Sequence, residues 1–454
     1  MPISSATDVE QTAGQRRIKA VSYALTLVLL AYFAGAYLRV ARMVPFMDDW
    51  TYVSILEADW AARLKWLIAE HVDHRIPIQK ALQLLILNLG GYDFRYLVAL
   101  NVLLCAVLSV VLTETARMVR GCRAIGDWII PLLLLTPCTG PSLWGFQFQF
   151  LSSVFLLGVE VFALVSYAKT GRGGWVALFF AACAMSALCG INGLLCSTVL
   201  LGATGVLQWL LRAQLPAPRR WMVVSAGLVA LLCALVWLTW KPSQASHVNV
   251  ASSAFLEYAF GMYGSPLGIY SFKAREAKAG LVLLIALSAL ILPAVSLLRR
   301  KADPARMMVA AMVATTCLLG LSIAAGRAQA QGGWNPINGM HYSFLMMPVL
   351  LGGWVVLSTY LRSSAARAGV GVVLVLIVGA AYLTNAKWRY EDFDAEAPVR
   401  AQLAKDLRAG LPSADIAARY VTEMSSMPSR QAEIQHGIDV LRQRGFKRYG
   451  APAQ

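Results

Sequence analysis

Two adjacent carboxylates, Asp48 and Asp49, stand in the stretch RMVPFMDDWTYV, just after the first long apolar run of the chain. A carboxylate within hydrogen-bond reach of a hydroxyl can take its proton as the oxygen attacks an activated carbon. A second carboxylate beside it can orient the first, raise its pKa by like-charge repulsion, or help to hold a divalent cation. Pro45 ends or redirects the preceding helix, and Trp50 is the kind of ring that settles at lipid headgroup level, so the pair is expected close to a membrane surface. The competing role is local: Asp48 caps a helix over DWTYVSILEADWAARLKWLIAE, with Asp49 in its first turn.

A second polar group follows in EHVDHR, where Glu70, His71, Asp73, His74 and Arg75 precede an amphipathic run from Ile76 to Leu89 expected to lie along the interface. Histidines at i and i+3 share one helical face and could coordinate a metal with Asp48, but the order lacks the glutamate of a zinc-protease signature. The reading preferred for these residues is a polar wall in which His74 and Arg75 contact a phosphate, since arginine offers a two-pronged fork to oxyanions. A solvated loop ahead of an interfacial helix is the plainer alternative. Glu160, in the middle of FLLGVEVFALV, is costly in hydrocarbon and must face the protein interior, either hydrogen-bonded to a neighbouring helix or serving as a proton or ion relay.

The elements that position these groups follow from composition. Of 454 residues, 58% are hydrophobic and 14% charged, and long apolar stretches recur from residue 20 to residue 385, far more than a soluble core buries. Runs of about 20 apolar residues without two-residue alternation select helices over a barrel. The fold class expected is an all-α polytopic integral membrane protein, with spans at 20–40, 96–116, 127–143, 148–168, 174–191, 194–211, 221–240, 280–298, 307–325, 343–361 and 368–385. That makes about 11 transmembrane helices for a bilayer of about 30 Å. Pro131, Pro137 and Pro141 weaken the third span, and the short turn CGINGLLC leaves the fifth and sixth open to being one broken helix. Three parts result: an N-terminus over 1–19, a bundle over 20–385 with a long first outer loop at 41–95, and a small helical outer C-terminal tail over 386–454.

Basic connections such as RMVRGCR, KTGRGG, RAQLPAPRR and RRKADPAR fall on the side of Arg16, Arg17 and Lys19, which the positive-inside rule makes cytoplasmic. The first span reads as an uncleaved anchor. The opposite face receives the first loop, a loop over 241–279, residues 326–342 and the tail, where Ser429 is expected to cap RQAEIQHGIDVLRQR and Gly445 to stop it. The net charge of +16 is largely explained by insertion, so no nucleic-acid partner is expected. Six of the eight cysteines (Cys105, Cys183, Cys189, Cys196, Cys233, Cys317) lie in or at the end of spans and no CxxC pair exists, so neither a disulfide framework nor a sulfur metal site is expected. Walker, GxGxxG and GxSxG signatures are absent, which leaves ATP-driven pumping, dinucleotide chemistry and serine hydrolysis without an anchor. Unequal loops in the two halves argue against the inverted repeats of many transporters.

A long first outer loop, the acidic pair in FMDDW after the first span and an interfacial helix in that loop resemble the GT-C superfamily of membrane glycosyltransferases. Bacterial glucosyl transferases that decorate O-antigen carry a similar DDW. The resemblance implies a GT-C-like bundle in a bacterial inner membrane, N-terminus cytoplasmic and C-terminus periplasmic, using a polyprenyl-phosphate-linked sugar donor and an outer-face acceptor glycan, lipid or protein. It implies Asp48 or Asp49 as the base, inversion at the anomeric carbon, and no certain cofactor beyond a possible divalent cation. The leaving phosphate needs cations or donors, for which Arg327, His341 and Tyr342 are placed by sequence, as are Lys273 and Arg275. One departure stands out: the next outer loop, TGPSLWGFQFQFL, has no acid and offers Trp144, Gln147 and Gln149 instead, so any second acid must come from elsewhere, with Asp73 and Glu257 as candidates. Alternatives in the same setting are a polymerase or ligase of lipid-linked oligosaccharides, and a transporter or flippase of lipid-linked sugars.

Overall fold

The computed structural model describes residues 13–71, 74–136, 144–215, 219–241, 249–268, 275–331, 334, 342–425 and 427–450. Helix α1 (Ala13–Val40) leads into a 3₁₀ turn (Met47–Trp50) and one helical turn (Thr51–Ser54). Helix α2 (Trp60–Ile68), the two-residue strands β1 (Glu70–His71) and β2 (His74–Arg75), and α3 (Pro77–Leu89) complete the first loop. The bundle continues through α4 (Arg95–Arg120), α5 (Ile129–Leu134), α6 (Phe148–Thr170), α7 (Gly173–Ala187), α8 (Ile191–Leu210) and α9 (Arg220–Thr239). Then come α10 (Ser253–Gly264), α11 (Arg275–Leu298), α12 (Pro304–Gln331), α13 (Ser343–Tyr360) and α14 (Ser364–Arg408). The tail closes with α15 (Ser413–Ser425) and α16 (Gln431–Gln443).

The chain is an all-α membrane protein: among the described residues, nine helices are long and apolar enough to cross a bilayer. The third and fifth expected spans correspond to shorter apolar helices, Ile125–Leu134 and Gly173–Ala187. At 1.5 Å per residue the 15 residues of α7 rise about 22 Å, short of a bilayer's hydrocarbon thickness. Nor do α7 and α8 form one broken helix. Gly190 takes a φ of 103° between them, and Ser186 Oγ donates to the Gly193 carbonyl at 3.2 Å, closing a tight helical hairpin. Residues 241–279, expected as loop, contain α10, whose mixed sequence SAFLEYAFGMYG hides a helix packed against α11 and α12.

Helices α6 and α13 are the most enclosed, while Leu27, Leu228 and Leu376 are each more than three-fifths exposed on the flanks, as hydrocarbon-facing residues should be. One end of the bundle is tied by polar contacts. Gln15 Nε2 donates to the Arg123 carbonyl at 3.3 Å, and the buried pair Arg120–Asp127 is completed by Ser358 Oγ and by Trp354 Nε1, 2.9 and 3.1 Å away. These contacts offset part of the cost of burying the ion pair.

The opposite end carries a second hydrophobic core. Trp50, Tyr52, Tyr92 and Leu87 of the first loop pack with Leu407, Ile416, Tyr420, Ile438 and Tyr449 of the C-terminal region. The tail is therefore docked on the first loop, and its expected start at 386 falls inside a helix, because α14 runs unbroken for 45 residues. Gly445 ends α16 with a φ of 75°, as expected. Ser429 does not cap that helix: it lies in a 3₁₀ turn (Pro428–Arg430), and the cap position is Arg430.

Candidate active site

The two aspartates have different surroundings. Phe46 is extended, Met47 takes a φ of 53°, and the turn Met47–Trp50 then points successive side chains in diverging directions. Asp49 is 3% exposed, and its Oδ2 accepts from the Phe46 backbone N–H at 3.1 Å. Burial pushes its carboxyl up to about 8; the Phe46 N–H opposes the rise, the charge of Asp48 adds to it, and the neighbouring Trp144 indole opposes it. Asp48 is 38% exposed at its side chain, with Oδ2 3.7 Å from His71 Nε2. The capping expectation fails in detail: the carboxylate that receives a backbone N–H is that of Asp49, and the next helix is capped by Asp59, which accepts from the Ala62 N–H at 2.7 Å.

His71 is held beside Asp48 by the antiparallel pairing of β1 with β2. Its register pairs Glu70 with Arg75 and His71 with His74, so the histidines are cross-strand partners and do not share a helical face. The His71 ring packs on Phe146 with centroids 4.7 Å apart. Arg75 commits its guanidinium to Glu70 Oε1 and to the Thr239 carbonyl, both at 3.0 Å, which ties the strand pair to the end of α9. Helix α3 fixes the floor. Gln79 Nε2 donates to the Phe146 carbonyl at 2.8 Å and Gln83 Nε2 to the Gly145 carbonyl at 2.6 Å, while Tyr52 donates to Gln83 Oε1 at 2.6 Å. Lys80 is 1% exposed and donates to the Trp66 and Ala69 carbonyls at 2.7 and 2.8 Å, closing the end of α2 just before β1. Its burial pulls the ammonium down to about 8.

Trp144 and Gln147 lie at a 3₁₀ turn that leads into α6. Trp144 meets Phe46 edge-on at 5.4 Å beside the acidic turn, and its carbonyl accepts from Asn101 Nδ2 at 3.1 Å. Gln147 and Gln149 are buried, and their Oε1 atoms have no hydrogen-bond partner among the described residues. Tyr342 stands edge-on to Phe150 at 5.6 Å, and Phe150 in turn meets His74 at 6.3 Å, so the start of α13 reaches β2 through one ring. Arg327, near the end of α12, lies close enough to the buried Tyr258 to act on it electrostatically. Asp73, Lys273 and His341 lie outside the described residues. Of the proposed second acids this leaves Glu257, which is held by Arg275 at 2.9 Å. Among the described residues no three His, Cys, Asp or Glu side chains converge as metal ligands; a cation at this turn would find the Asp48–His71 pair.

One participant escaped the sequence. Arg430 Nη1 donates to the Met47 carbonyl at 3.0 Å, while Glu433 grips the same guanidinium at 2.7 and 2.6 Å. Arg430 thus holds the left-handed residue beside Asp48 and adds positive charge near that carboxylate. Its i,i+3 spacing to Glu433 was visible; its docking across more than 380 residues was not. Trp50 completes the clamp by donating to the Met424 carbonyl at 3.2 Å. Glu160 is fully buried in α6 and accepts from Ser197 Oγ at 3.3 Å, the hydrogen bond to a neighbouring helix expected as one of its two roles. No known family model matches the chain, and no curated protein matches it.

Proposed function

We propose that the protein is an inverting GT-C-type glycosyltransferase of a bacterial inner membrane. It moves a sugar from a polyprenyl-phosphate carrier to an outer-face glycan, lipid or protein, with the N-terminus in the cytoplasm and the clamped first loop and tail in the periplasm. The observation that carries this reading is the accessible carboxylate of Asp48, paired at 3.7 Å with His71 on a turn braced from the tail by Arg430. Asp48 is the general base. It takes the acceptor hydroxyl proton as that oxygen attacks the anomeric carbon, and the bond from that carbon to the phosphate oxygen breaks with its electron pair on the departing polyprenyl phosphate. His71, with its Nε2 3.7 Å from Asp48 Oδ2, orients that carboxylate. Asp49 shapes the turn. Trp144 and Gln147 offer a stacking face and an amide to the sugar, and Arg327, His341 and Tyr342 offer donors to the phosphate.

Mass spectrometry of cell-envelope glycans and polyprenyl-linked intermediates tests this in a strain lacking the protein, complemented by wild type, Asp48→Asn, Asp49→Asn or Glu160→Gln. Loss of one sugar, with its lipid-linked donor accumulating in the Asp48→Asn strain, is expected. Unchanged glycans in both aspartate strains, with a defect confined to Glu160→Gln, would overturn transfer in favour of transport.

A further inference from the structure

A cavity of about 340 Å³ opens between α11 and α14, on the flank of the bundle. Its walls are apolar, with Leu281, Ile377 and Ala381 among them, and Leu284 and Leu376 beyond its rim are 63% and 66% exposed, so it faces hydrocarbon. Its lining also includes a charged and an amide side chain. A Cβ placed on Gly268 would stand 3.0 Å from Asn385 Nδ2, 3.2 Å from Asn385 Oδ1 and 3.3 Å from Lys278 Nζ, so an amide and an ammonium meet at a spot that only a residue without a side chain leaves open. Asn385 is 8% exposed, and its Oδ1 has no partner among the described residues.

We propose that this cleft holds an anionic phospholipid of the bilayer, one acyl chain lying between α11 and α14 and the phosphate resting on Lys278 and Asn385 beside Gly268. Charge and shape select the occupant: an ammonium near an apolar slot of this size suits a phosphate carrying a chain. A lipid-linked sugar has matching charge but poorer fit. Among the described residues none of the lining comes from the first loop, β1, β2 or residues 144–149, and a separate cavity between Asn385, Thr136 and Ser343 measures about 20 Å³, too small for a sugar. The lipid is therefore a resident component of the fold, and the inference does not rest on glycosyl transfer.

Native mass spectrometry of the purified full-length chain, in detergent with added phosphatidylglycerol or phosphatidylcholine, tests it. Wild type is expected to retain one phosphatidylglycerol in preference to phosphatidylcholine. Lys278→Gln should weaken that retention about five-fold, the effect of losing one cation near an anionic headgroup, whereas Lys278→Arg should keep it. Ala381→Phe, which fills the slot and leaves the cation in place, should lower retention of both lipids. Equal retention of phosphatidylglycerol by wild type, Lys278→Gln and Ala381→Phe would overturn the proposal, as would retention of added polyprenyl phosphate at this cleft in place of phosphatidylglycerol.

Discussion

At Asp49 burial and a neighbouring charge act in the same direction, and the result separates two residues that look equivalent in sequence. The folded protein holds this carboxyl at about 8, above its ordinary value of 3.8, so the folded state prefers the protonated form. The stabilisation it gives is complete below about pH 4 and is lost as the pH rises toward 8. Asp49→Asn removes the titrating proton while keeping the shape, so the melting temperature of the variant should fall less between pH 5 and pH 8 than that of wild type; parallel curves would contradict the assignment. Asp48 carries the chemistry in our reading, and Asp48→Asn should reduce transfer by at least about 100-fold, the scale of a lost general base, with little change in melting temperature. The pair was legible in the sequence as a candidate site, since adjacent carboxylates just after a long apolar run need a reason. Their difference in burial was not, because it depends on a 3₁₀ turn led by a left-handed Met47, a non-glycine conformation that composition does not announce.

Helix α3 shows the same gap between pattern and placement at the scale of an element. Its amphipathic run was readable. Inside the fold its polar face is the buried one: Gln79, Lys80 and Gln83 are enclosed, whereas Leu85 and Leu89 are 56% and 81% exposed. Such an inverted helix makes sense where the outside is lipid, and it lets three polar side chains pin the turn at residues 145–146 and the end of α2 beneath the acidic pair. Gln83→Leu should leave the Gly145 carbonyl and the Tyr52 hydroxyl without their partner, at about 1–3 kcal/mol. The outcome expected is a lower melting temperature and a higher KM, with Asp48 chemistry intact in the residual activity. The long spans were legible because each is uniformly apolar over a bilayer's thickness. Helix α10 was not, because its tyrosines, glycines and glutamate break the apolar run without forming a periodic face.

Across the whole molecule the first loop and the tail make one body, although their sequences stand at opposite ends of the chain. Trp50 and Met424 are hydrogen-bonded across 374 residues, and Tyr449 donates to the Tyr92 carbonyl at 2.9 Å across 357. No local pattern reports pairings of that range, which is why the tail read as a part separate from the first loop. The contact is close as well as distant: a Cβ on Gly437 would come within 2.6 Å of the buried Trp50 ring. Gly437→Ala must therefore push α16 from the loop or rotate Trp50, at about 1–3 kcal/mol, the usual cost of overpacking. Because Trp50 immediately follows the two aspartates, the displacement bears on the site itself. Hydrogen exchange should show faster exchange at residues 46–56 in Gly437→Ala and in a chain ending at Ala409, while the amides of α6 and α13 keep their protection, since they belong to the other core. Unchanged exchange at residues 46–56 in the truncated chain would mean that the loop holds the Asp48 turn by itself. Loss of protection confined to that segment would make the tail a structural part of the candidate site, so that substitutions more than 380 residues from Asp48 act on it through packing alone.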